Sequence, residues 1–161
     1  MITTALSLLL ASFMLTADDT PRELSWSDLI PEGAYEVDLP APGFVQSHDM
    51  VAQQTGSAQT VKELNGIMVS MPGFMLPLDY TERGRVSAFL LVPYFGACIH
   101  VPPPPPNQIV YVETGDDPID AKGLWDPVVV TGTMQTKMNI NGLGDAAYTL
   151  KLSKIKPYDG L

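Results

Sequence analysis

The chain has one cysteine, Cys98, and two histidines, His48 and His100, in 161 residues. A single cysteine excludes an internal disulfide, so packing alone must hold the fold. Cations are also scarce: nine Lys and Arg stand against eighteen Asp and Glu, for a net charge of −9. Such a surface has no basic face to track a nucleic-acid backbone or settle on anionic lipid, so neither is an expected partner. The apolar run Ala5 to Ala17 falls short of the ~20 residues that a membrane span requires, so the chain is not expected to be an integral membrane protein. Also missing are a Gly-rich phosphate loop, a GxSxG elbow and an HExxH helix, and with them the commonest signatures of phosphate, serine-hydrolase and zinc-protease chemistry.

What is there begins with that apolar run. Followed by Asp18-Asp19-Thr20-Pro21, it has the pattern of a secretory signal peptide over residues 1–17, which implies export to the periplasm. The remainder, 18–161, is long enough for a single domain with a real core, and its 45% apolar content is that of a globular protein. Leu24 to Ile30 reads as a short capped turn, with Trp26 plugging the edge of the core. Strand patterns follow at Ile67–Met71, Phe74–Leu78 after a bend at Pro72-Gly73, Val86–Val92, Ile109–Val112, Val128–Met134 and Ala146–Ile155. Met68, Met71 and Met75 do not share one strand face and read as core filler rather than a thioether metal site. Five or six strands with turns between them and almost no helix make an all-β domain, a small barrel or sandwich.

The least ordinary stretch is Phe89 to Val112, FLLVPYFGACIHVPPPPPNQIVYV. If the chain is extended at Cys98 and His100, the two side chains share a face with Cα atoms roughly 6.6 Å apart. That spacing suits ligation of a shared metal better than a thiol–imidazole pair, and no other base is in sequence reach, so a thiol enzyme is not expected. Two ligands do not complete a site, and His48, Asp49, an acidic loop residue or a partner protein is expected to complete it. The alternative is that Cys98 is a small buried residue and His100 a hydrogen-bonded one. Pro102, Pro103, Pro104, Pro105 and Pro106 fit neither a helix nor a central strand and should form a polyproline II segment. With Asn107 and Gln108 it is either a stiff connector between strands or a pre-ordered ridge for a docking partner.

These residues carry a resemblance. WSDLIPEG (26–33), LNGIMVSMPGFMLPLD (64–79), the 89–112 stretch, PVVVTGT (127–133) and AAYTLKLSKIKPY (146–158) are similar to the bacterial domain-of-unknown-function family 3299, a set of small exported proteins. The resemblance implies a small OB-like β-barrel. It also implies the company of macrolide-efflux-type ABC transporters and zinc-regulated periplasmic proteins, and so a role as a non-enzymatic accessory of a zinc-linked envelope system. On that footing zinc is the metal expected at Cys98, His100 and His48. The alternative function is a metal-free interaction module that docks a partner through the polyproline ridge.

Overall fold

Alternating apolar residues from Met68 to Tyr80 make one long strand, and the barrel closes on it. In the computed structural model, which describes residues 20–34, 54–99, 103–120 and 123–158, six strands form a single sheet. They are β1 (Arg22–Glu23), β2 (Met68–Tyr80), β3 (Val86–Val92), β4 (Val110–Glu113), β5 (Asp126–Gln135) and β6 (Tyr148–Pro157). The order is β1-β2-β3-β4-β6-β5, and β5 returns to pair with β2, so five strands close an OB-like barrel with β1 added outside. β4 and β6 run parallel, and every other barrel pair is antiparallel. The only helices among the described residues are short 3-10 turns at Trp26–Leu29, Lys62–Leu64 and Pro106–Gln108. The leader, His48, Asp49, His100 and Pro102 lie outside the described residues.

β2 pairs with β5 along one edge over Met68–Met75 and with β3 along the other from Phe74 onward, so Phe74 and Met75 are flanked by both. The Pro72-Gly73 dipeptide does not break the strand, contrary to expectation. Pro72 has no N–H to lose, and its free carbonyl accepts a hydrogen bond from Trp26 Nε1 at 3.0 Å. Gly73 is needed because a Cβ there would stand 2.7 Å from Leu91 Cγ and 2.9 Å from the Trp26 ring. The irregularities fall elsewhere. One lies near Pro77–Asp79 on β2, and one lies between Thr131 and Gly132, where β6 carries an extra residue. A Cβ on Gly132 would run into the Lys151 carbonyl, so this bulge requires glycine.

Inside the barrel the core is built from Val69, Met71, Met75, Phe89, Leu91, Val112, Val130, Met134, Tyr148 and Leu150. Met71 and Met75 are core residues, as the sequence suggests. The buried Tyr148 hydroxyl donates to the Leu29 carbonyl at 2.8 Å and accepts from the Val61 N–H at 2.7 Å. One side chain of the last strand thus anchors both segments that precede the barrel. Burial pushes its phenol pKa up, and the Val61 bond opposes that only in part.

A second core lies on the outer face of β2 and β3. Leu76, Leu90 and Val92 point away from the barrel, yet they are buried under Ala97, Ile109, Trp125 and Ala146. This explains why Phe89-Leu90-Leu91-Val92 is continuously apolar instead of alternating: the strand is covered on both faces.

Candidate functional site

The outer core is covered by the connection between β3 and β4, by the loop that enters β6, and by Trp125 at the end of the β4–β5 connection. Pro93-Tyr94-Phe95-Gly96 turns the chain back over β3, and Ala97 seals the face. Cys98 follows with φ of +69° in a turn, so the extended geometry assumed for Cys98 and His100 does not hold at Cys98. A left-handed non-glycine residue is uncommon. The other one among the described residues, Trp125 at φ +56°, belongs to the same cover. Its backbone N–H donates to the Met75 carbonyl at 2.8 Å, and its indole N–H reaches the Ala97 carbonyl at 3.4 Å. Phe95 stacks tilted on Trp125 at 5.0 Å and meets Phe74 edge-on at 6.3 Å.

Cys98 is half-buried and free, and its sulfur packs toward Gly144 on the β5–β6 loop, where a Cβ would lie 3.5 Å away. Desolvation pushes its pKa up to about 11. At neutral pH it is a protonated thiol, not an activated nucleophile. Tyr94 lies near enough to feel it: burial first, then the Cys98 charge, raises the phenol pKa. Among the described residues no three His, Cys, Asp or Glu side chains converge as metal ligands. Of the expected metal ligands the described residues hold only Cys98, and a complete set would draw on His100 and His48.

The prolines are locked into the fold. Pro104 is buried, and its carbonyl accepts from Gln54 Nε2 at 2.8 Å. Gln54 also donates to the Asp145 carbonyl at 2.9 Å and accepts from the Asp145 N–H at 2.7 Å, clipping the proline run to the β5–β6 loop. Pro105 packs on Gly56, and Pro106 opens a 3-10 turn instead of continuing the polyproline helix. The Pro106 carbonyl takes the Ala147 N–H at 2.7 Å. Asn107 is buried, with its N–H on the Ser57 carbonyl, and Gln108 Nε2 donates to the Trp26 carbonyl at 3.0 Å. Pro103, Pro105, Pro106 and Gln108 keep part of their surface in solvent.

What the cover leaves most open is apolar. Phe95 is 65% exposed, Leu124 52%, Ile99 47% and Tyr94 43%. Sequence reasoning missed these residues, and it missed Trp125 and Gln54 as their supports. The Pro-Tyr-Phe-Gly run beside Cys98 was the available signal for Tyr94 and Phe95. Nothing in the sequence around Gln54 marked it.

The family model described as a protein of unknown function, DUF3299, matches residues 26–157. The chain is also similar to a solved structure, the crystal structure of a DUF3299 family protein from Pseudomonas aeruginosa PAO1. The two share 42% sequence identity with a TM-score of 0.71, over 87% of this chain and 97% of the other. No curated protein matches. By the match to its model over most of its length, the chain belongs to the DUF3299 family.

Proposed function

We propose that the protein is a non-enzymatic accessory module of the bacterial envelope that binds a partner protein through the exposed face of the β3–β4 connection. The observation that carries this reading is the placement of Tyr94, Phe95, Ile99 and Leu124. All four are large, apolar and exposed, on a cover whose backbone is fixed by the proline run, by Trp125 and by Gln54. A surface held in place loses little entropy on binding, and Tyr94, Phe95 and Ile99 bring three exposed apolar side chains to one short connection. It also transfers the docking role from the prolines, whose carbonyls at 104 to 106 have partners within the chain, to the aromatic turn ahead of them. The outer face of β3, where an OB barrel meets nucleic acid, is occupied by the chain's own cover, and the −9 charge opposes such a ligand as well.

The test is a paired substitution, Phe95→Ser with Ile99→Ser, in the full chain. Partner capture from an envelope extract should be lost while the melting temperature falls only slightly, because both side chains are exposed and the main packing given up is that of the Phe95 ring on Trp125 and Phe74. Unchanged capture would remove this surface from the account. Export belongs to the same reading: mass spectrometry should find a mature N-terminus near Asp18, and an intact Met1 in the cytoplasmic fraction would contradict it.

A second reading keeps zinc, bound by Cys98, His100 and His48 in the service of an ABC-transporter-linked zinc system. It is supported by the free thiol of Cys98 at the edge of the cover. A thiolate ligand must shed its proton, and with a pKa near 11 it competes with protons throughout the neutral range. Zinc affinity should therefore rise by up to about tenfold per pH unit from 6 to 8. Calorimetry on wild type, Cys98→Ser and His100→Ala decides. Stoichiometric binding lost in both variants supports zinc, and its absence in the wild type ends this reading.

A further inference from the structure

β6 outruns its partner β4. The two pair in parallel from Val110 opposite Tyr148 to Glu113 opposite Lys151, and β6 then continues to Pro157. After Glu113 the chain follows β3 instead: the Thr114 N–H donates to the Ser87 carbonyl at 3.1 Å, and Ile119 bridges Val86. β5 holds the opposite edge of β6 as far as Pro157. Among the described residues, positions 152–156 thus have one edge with no strand beside it. Such an edge presents main-chain N–H and C=O groups that can template a further strand.

The side chains along this edge differ by face. Leu152 and Ile155 are half-buried and pack on the inner core. Lys151, Lys154 and Lys156 are exposed, and the extra residue at the bulge keeps all three on the outer face, opposite Thr133, Thr131 and Val129 of β5. None of the three has an ion pair among the described residues. Acids stand at both ends of the row. Glu113 lies in register with Lys151, and Glu23, Asp120 and Asp126 share surface hollows with Lys156. Of these, Asp120 accepts from Arg85 Nε at 3.3 Å, and Asp126 accepts from the Gly123 N–H at 3.0 Å. Lys154, in the middle, has the neutral Thr131 on one side and the free edge on the other.

We propose that this edge takes an extended segment of a partner polypeptide as an added strand, with acidic side chains on its outer face and apolar ones toward the barrel. Opposite side chains of paired strands stand about 4.5–5.5 Å apart, so an acid across from Lys154 makes a cross-strand charge pair, while Leu152 and Ile155 meet the apolar face. The same geometry rejects a second copy of this chain, because pairing β6 with β6 sets lysine against lysine. Nothing in this edge depends on the aromatic face of the cover.

The probe is a peptide of ten residues alternating glutamate and valine, titrated calorimetrically into the full chain, with a lysine–valine peptide as the opposite-charge control. One glutamate peptide per chain should bind, more tightly than the lysine peptide. Methylating every backbone nitrogen of the glutamate peptide keeps its side chains and charge, and should abolish binding. On saturation, NMR should show slowed hydrogen exchange at amides within 152–156. Lys154→Glu, at an exposed position, should weaken the glutamate peptide about fivefold and turn the preference toward the lysine peptide. Absence of saturable binding, a lysine peptide that binds as tightly, retained binding of the methylated peptide, unchanged exchange at 152–156, or an unaltered preference in Lys154→Glu would each overturn the proposal. So would protection of those amides that rises with protein concentration alone, which would assign the edge to a second copy.

Discussion

At the scale of single residues, Tyr148 and Cys98 show how burial sets roles. Tyr148→Phe keeps the ring in the core but strips partners from the Leu29 carbonyl and the Val61 N–H. Leaving buried groups unsatisfied costs about 1–3 kcal/mol, so the urea midpoint should fall at unchanged slope. Cys98 behaves as a thiol with a folded pKa near 11 against an ordinary 9.0. The folded state then holds the proton more tightly, so its contribution to stability is full below pH 9 and is lost as pH rises through 9 to 11. Cys98→Ala should flatten the alkaline decline in melting temperature. Alkylation of the native thiol by iodoacetamide should keep accelerating up to about pH 11, and a plateau near pH 8 would show the thiol to be activated instead.

At the scale of elements, the strand pattern was largely legible, because hydrophobic period and turn residues are local signals. Val86–Val92 was legible to the residue. Pro72-Gly73 was misleading because its effect depends on Trp26 and Leu91, distant in sequence, which make the dipeptide fit within β2. The conformation at Cys98 was misjudged for a similar reason. A strand pattern at Ala97–Ile99 is indistinguishable locally from a turn held down by Trp125. The Thr131–Gly132 bulge gives the firmest element-scale prediction. Gly132→Ala forces a methyl group into the β6 backbone, and overpacking of this kind costs about 1–3 kcal/mol or more. Soluble yield and melting temperature should both drop, whereas Gly142→Ala, with open space around its Cα, should leave them nearly unchanged.

At the scale of the whole molecule, a barrel with one core inside and a second on its outer face accounts for the unusual composition of the stretch from Phe89 to Val112. Phe89 to Val112 supplies a strand buried on both faces, the cover that buries one of them, and the strand that follows. The stretch thus has a structural duty before any functional one, and the OB-like barrel itself names no ligand. On the proposed reading, partner binding resides in what the cover presents to solvent, where Tyr94, Phe95, Ile99 and Leu124 are exposed. Site-specific photocross-linking in the producing bacterium tests this most directly, with benzoylphenylalanine placed at Phe95 and, as a control of comparable exposure on the far end of β2, at Tyr80. The account predicts a discrete protein adduct from position 95 and none from position 80. Adducts from Tyr80 alone, or none from Phe95 in cells that carry the folded protein, would contradict it.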